Sequence, residues 1–367
     1  MKKYRKKLIK NERGAITAMV LASLLVIAIV LINLYMMGSN KANSQNKEIK
    51  MIQEAYNCTE DKIDLAYKNS IVFEHVNVAN TNPKEALPSN IKEILENDAN
   101  KGIVIKDKNE NEWVWVEVPK TIVFSGLIID TTKELIEQDY NDIRDRLIEY
   151  VGVYRNGSSY QAKEIWEDEW YEGCGLTPEE YTTIYQKMLK SVYTYGGFWI
   201  GRYEAGIEGS IEDVSKARIS HTDIEIGVSP KAVSQKDTIP YNWIYCGEAQ
   251  SLAEEMVPDS DYTSSLMFGI QWDLVCKFLE MKGGLTTADV NFNSSSWGIF
   301  NSTERLITSK KAKKSGTPWS VVAEVENING IWLTAGASDD TKKMNIYDFA
   351  GNIWEWTLER AIGYDSS

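Results

Sequence analysis

An uncharged apolar run from Ala15 to Met37, AITAMVLASLLVIAIVLINLYMM, constrains this chain more than any other feature. A helix needs roughly 20 apolar residues to cross a bilayer core of about 30 Å, and a buried helix of a water-soluble domain seldom needs so long a stretch without a charge. A cleaved secretory signal has a shorter apolar region, about 7–15 residues, closed by a small-x-small site. Gly38-Ser39-Asn40-Lys41 is a poor site of that kind. The run therefore reads as a transmembrane helix over 15–37. Ahead of it, residues 1–14 hold seven basic side chains and one acid, Glu12. The positive-inside rule then keeps 1–14 in the cytoplasm and places everything after Met37 outside a single-pass cell-membrane anchor.

Charge and rare residues narrow the function classes. The 353 residues after the tail carry 33 basic and 52 acidic side chains, a charge of −19. A body that acidic repels phosphates, so nucleic acid is not an expected partner. Only His75 and His221 occur, too few for a His-based zinc site or to favour a Ser-His-Asp triad. Cys58, Cys174, Cys246 and Cys276 stand far apart with no C-x-x-C spacing, which suits buried thiols or at most one bridge.

Beyond the span, residues 38–101 read as a helical stalk and linker, with Ile49, Ile52, Ala55 and Tyr56 at helical spacing and one further short helix between Asn80 and Asn100. From Gly102 the pattern changes to short β-like runs, IVIKD and Trp113–Val118, joined by the turn-forming KNENE. Thr131–Tyr195 is helix-rich and acidic, with Leu135, Ile136, Ile143, Leu147 and Ile148 on one face. No fixed period links the later blocks, so 102–367 is expected to be one irregular α+β domain.

Four of those blocks, GGFWIGRYEAG (196–206), PYNWIYCGEAQSLAEEM (240–256), SSLMFGIQWDLVCKFLE (264–280) and NIYDFAGNIWEWT (345–357), resemble in order the formylglycine-generating enzyme / sulfatase-modifying-factor family, whose fold is related to that of C-type lectins. The resemblance implies a strand and then a helix start at FWIGRYEAG, and helices at the next two blocks. Met267, Gly269 and Gln271 depart from the family's Pro, Glu and Glu, and nothing functional carries over there. Arg13-Gly14 before the span also resembles the leader of type IV pilin-like proteins, although Met19 stands where that pattern has Glu.

YDFAGNIWEWT is the most specific block. Alternation along IWEWT reads as a half-buried strand with Trp354 and Trp356 in the core. Trp272 and Phe198 are expected in the core as well. Asp348 and Glu355 flank a turn holding Gly351 and Asn352, and a hard cation such as Ca²⁺ takes six to eight oxygens of mixed kind. The family resemblance implies calcium there, held by the side chains of Asp348 and Glu355 and the carbonyls of Gly351 and Ile353. The plainer alternative has Asp348 and Asn352 capping the turn and Glu355 bonded to backbone. The family's catalytic cysteine pair follows an Arg-Gly-Gly-Ser block that is absent before Ser367, and none of the four cysteines matches it. The expectation is thus a C-terminally incomplete, non-catalytic recognition domain for an extracellular glycan, peptide or protein. The alternatives are a formylglycine-type oxidase with cysteines beyond residue 367 and a pseudopilin-like surface subunit.

Overall fold

Alternation in WVWVE builds the centre of the molecule. In the computed structural model, strands β1 (Ile91–Glu96), β2 (Val104–Asp107), β3 (Glu112–Glu117) and β4 (Gly197–Gly201) form an antiparallel sheet in the order β1-β2-β3-β4. The structure describes residues 68, 70–155, 166–167, 171–257, 262–291, 293–300, 304–306, 311–314, 318–321, 327–328 and 331–361. The chain divides into two units, Met1–Ile71 and Val72–Ser367, and almost all described residues belong to the second. The basic tail, the 15–37 span and the stalk residues through 67 lie outside the described residues. Among those described, no helix is long and apolar enough to cross a membrane.

Val114 and Val116 point to one face of the sheet and are fully buried in the main core. Trp115 points to the other, opposite Trp199 of β4, with ring centroids 5.0 Å apart edge to face. Both indoles are bonded there: Trp115 Nε1 donates to Thr81 Oγ1 at 2.7 Å and Trp199 Nε1 to the Ala86 carbonyl at 2.5 Å. A buried indole N–H left without an acceptor is costly, so these bonds fix which stretch of the preceding chain covers this face. The β2–β3 turn is held by buried Asp107, whose Oδ1 accepts from the main-chain N–H of Asn109 and Asn111 at 2.8 and 2.9 Å. This matches the turn expected at KNENE.

Helices cover the valine face. Helix α1 (Glu137–Arg155) presents Ile143, Leu147 and Val151, spaced by four and fully buried. Helix α2 (Pro178–Tyr195) starts with a capping box, in which Thr177 and Glu180 satisfy each other's backbone N–H, and ends at Gly196 with φ 70°. Helix α3 (Cys246–Glu254) and helix α4 (Gly269–Lys282) follow, and α4 contributes Ile270, Leu274, Val275, Phe278 and Leu279 to the same core. α1 packs against α2 and α4, and α4 against β3. The result is an α+β unit with small antiparallel sheets.

Several expectations need correction. The short helix placed between Asn80 and Asn100 is instead strand β1. IKEILE has apolar residues at helical spacing, but pairing with β2 overrides that local preference. The sheet thus recruits residues assigned to the linker, and the folded unit starts at Val72 and not at Gly102. Ile136 is exposed and precedes α1, whereas Leu135 is buried. FWIGRYEAG gives β4 and then the two-residue strand Gly206–Ile207, paired with Ala232–Val233, where a helix start was implied. Trp354 and Trp356 are not core: Trp354 is 100% exposed and Trp356 42%, while Phe198 is buried and Trp272 half-buried. The alternation argument assumed a strand partner for IWEWT, and among the described residues none pairs with 353–357.

Candidate functional site

The loop following β4, the approach to α3 and the 345–357 segment converge on one cavity of about 600 Å³. Trp113 and Trp199 line it from the sheet, Tyr241 and Trp243 from the chain before α3, and Trp354 and Trp356 from the last segment. Among the described residues, Glu204 and Glu355 are the acids that line it, and none of the lining residues is Lys, Arg or His. Trp356 Nε1 donates to the Ile244 carbonyl at 3.0 Å, which ties the two rims together. A second cavity, about 420 Å³, shares Ile353, Trp354, Glu355 and Phe349 and is closed by Trp272 and Trp297. Trp272 stacks on Phe349 at 4.2 Å.

Asn352 explains why the last segment leaves regular structure. Its backbone has φ 61°, next to Gly351 at φ 89°. A Cβ on Gly351 would lie 2.0 Å from the Ile299 carbonyl, so only glycine fits this crossing. The Asn352 side chain replaces a strand neighbour: Oδ1 accepts from Leu333 N–H at 2.9 Å, and Nδ2 donates to the Leu333 carbonyl at 3.0 Å and to Glu204 Oε2 at 2.6 Å. Side-chain bonds thus hold the chain where a ladder would have run.

The four residues assigned to calcium sit as follows. Asp348 is 1% exposed, with φ 56°; its Oδ1 accepts from Thr341 Oγ1 at 2.7 Å and its Oδ2 from Gly336 N–H at 2.6 Å. Gly351 forms the bridge to Ile299, half-buried Ile353 lines both cavities, and Glu355 is exposed on the cavity wall. Asp348 therefore ties its segment to the 336–341 loop, and among the described residues neither bond caps its own turn. Its charge also reaches Glu355. Burial pushes the Asp348 carboxyl up to about 6, against the hydrogen bonds from Gly336 and Thr341. The protein mass around Glu355, and then the Asp348 charge, push Glu355 up to about 8. Because Glu355 is open to solvent at the cavity, little stability attaches to its shift.

Glu204 is the residue that sequence reasoning missed. It is 6% exposed, and its Oε1 is buried with no hydrogen-bond partner while Oε2 holds Asn352. Burial first, then repulsion from Asp348 and Glu355, drive its carboxyl well above the usual range. The available signal was one acid between an aromatic residue and two small ones, in YEAG. Three carboxylates thus interact, Asp348 and Glu204 buried and Glu355 exposed on the cavity wall. In donor type they suit a hard cation, with Glu204 Oε1 as an uncommitted oxygen. They are not gathered tightly: among the described residues, the one group of three His, Cys, Asp or Glu donors lying within 4.8 Å of one another is His221, Asp223 and Glu248. There Glu248 already accepts from the N–H groups of Tyr245 and Ile224, and His221 Nε2 lies 3.0 Å from its Oε2. That cluster fastens the 221–224 loop to the start of α3.

No protein-family model, curated protein or solved structure matches the chain.

Proposed function

We propose that the unit beginning at Val72 is a non-catalytic ligand-recognition module of the formylglycine-generating-enzyme (C-type-lectin-like) type, held outside the cell by the 15–37 segment. The ligand is an extracellular glycan, peptide or protein, and the 600 Å³ cavity receives it. One observation carries this reading: Trp354, Trp356 and Trp243 are 100%, 42% and 51% exposed on the walls of a single cavity. Indole surface is among the most favourable to bury, and amphipathic aromatics are the side chains that sugar faces and peptide backbones stack on. The order of the four sequence blocks supports the fold type.

Calcium belongs to the same proposal. The side chains of Asp348 and Glu355, with the carbonyls of Gly351 and Ile353, are its ligands, and Glu204 adds a third carboxylate beside them. A bound cation turns the mutual repulsion of these acids into attraction and holds the Trp354 rim in place.

Titration of glycan and peptide libraries followed by indole fluorescence tests the reading. Ligands are expected to quench or shift emission in the wild type, and Trp354→Ala is expected to weaken binding at least tenfold without lowering the melting temperature, since this side chain is 100% exposed and the described residues bury none of it. Unchanged emission across both libraries, or full affinity in Trp354→Ala, would sink it.

A further inference from the structure

Two cysteines 72 positions apart in sequence, Cys174 in the turn before α2 and Cys246 at the first position of α3, place their sulfurs 3.4 Å apart. Both are buried, at 1% and 3% exposure. Each is followed by glycine, and the two Cys-Gly dipeptides run in van der Waals contact: a Cβ on Gly247 would lie 3.4 Å from main-chain atoms of both Cys174 and Gly175. Backbones this close leave two side chains of one heavy atom beyond Cβ facing each other, whereas the third described cysteine, Cys276, sits alone in the α4 core. A disulfide needs about 2.05 Å between sulfurs, so rotation about the Cα–Cβ bonds has roughly 1.4 Å to close.

We propose that Cys174 and Cys246 are a built disulfide site, and that the bond clips the start of α3 to the 171–176 turn. The Cys174 thiol accepts from Cys246 Sγ, which lowers its proton affinity, while the same contact raises that of Cys246. Either thiol can attack first with the same product, as follows for Cys174. Its thiolate attacks a low-molecular-weight or protein disulfide, forming a mixed disulfide and releasing one thiolate. Cys246 then loses its proton and attacks the Cys174 sulfur, releasing the second. Two protein thiols are oxidised to one disulfide, and the carrier disulfide is reduced to two thiols. The bond acts on the proposed recognition surface, because α3 carries Leu252 and Ala253 into the cavity wall and Cys246 Sγ lies 3.9 Å from the Thr357 carbonyl, next to Trp356. Its formation in the cell, though not its geometry, rests on the extracytoplasmic placement, since a reducing cytosol keeps such pairs open.

The experiment uses the detergent-solubilised full chain. Alkylation in denaturant followed by peptide mass spectrometry is expected to find Cys174 joined to Cys246 and alkyl groups on Cys58 and Cys276. Reduction is expected to lower the melting temperature by several degrees in the wild type and to leave Cys174→Ala/Cys246→Ala unchanged. A chain isolated with all four thiols free that forms the 174–246 bond on exposure to oxidised glutathione supports the site and counts against the outside placement. Four free thiols after oxidised glutathione, or a bridge to Cys58 or Cys276 instead, would overturn the assignment.

Discussion

Asp348→Asn tests the electrostatics of the acidic region directly. The carboxyl of Asp348 stands near 6 in the folded protein and near 4 once unfolded, so the unfolded state releases its proton first as pH rises. Stability contributed by this group is therefore complete below about pH 4 and is lost between about pH 4 and pH 6, and the raised carboxyl of buried Glu204 adds to the loss at higher pH. At 1.36 kcal/mol per pH unit, Asp348 alone accounts for about 3 kcal/mol. Asparagine keeps the shape and abolishes the titration. Its carbonyl still accepts from Gly336 N–H, and its amide faces the Thr341 hydroxyl, which can keep donating to the Ser338 carbonyl, 2.9 Å away, while accepting from it. A unit spanning Val72–Ser367 unfolds with an entropy of roughly 0.6 kcal/mol/K at 2.1 cal/mol/K per residue, so 3 kcal/mol corresponds to about 5 °C. Melting curves in chelator should bring the variant close to wild type at pH 4 and about 5 °C above it at pH 7. Taking the difference between variants cancels the surface carboxylates. A gap that is the same at both pH values would refute the reasoning.

Calcium added at 100 times its dissociation constant should stabilise the wild type by about 2.7 kcal/mol and Glu355→Gln far less; equal shifts would mean that hydrogen bonds alone hold the 348–355 turn. Trp115→Ala should cost about 3–5 kcal/mol in chemical denaturation, since it empties the space against Trp199 and leaves Thr81 without its donor. Gly196→Ala should destabilise by more than 1 kcal/mol, because φ is 70° and a Cβ there would lie 2.3 Å from the Asn80 carbonyl; a neutral result would contradict the backbone path. Protease added to intact cells should remove the body and spare residues 1–14, and a body protected until lysis would reverse the topology.

Local pattern made part of this molecule legible. Strands β2 and β3 follow from period-two runs around a turn-forming stretch, and α1 from Ile143, Leu147 and Ile148 on one face, because each signal lies within the element itself; α2 is legible only in the helix-rich character of Thr131–Tyr195, without bounds. Strand β1 failed the same test: Ile91, Ile94 and Leu95 look helical, and only an edge of β2, distant from any local rule, makes them extended. Trp354 and Trp356 failed for a related reason. Alternation tells which side chains share a face and nothing about whether a partner covers it. At the site, Asp348 and Glu355 were visible through a motif, whereas Glu204 was not, since its depth depends on Asn352 bonding to it from 148 positions away.

The β3–β4 ladder, from Trp113↔Gly201 to Glu117↔Gly197, also governs the order of assembly. Strands β1, β2 and β3 are a meander that can zip as soon as residue 117 is available, yet β4 comes about 80 residues later and its pairing must wait for that loop to close. During synthesis, β3 therefore offers an open, Trp- and Val-rich edge while α1 and α2 are still being made. The helices form from local contacts and deliver Gly197 to its partner through Gly196, so α2 acts as the closing arm of the sheet. Slowing α2, for instance by removing the Thr177–Glu180 cap, should prolong the exposure of that edge and raise the fraction of chains that aggregate before they fold.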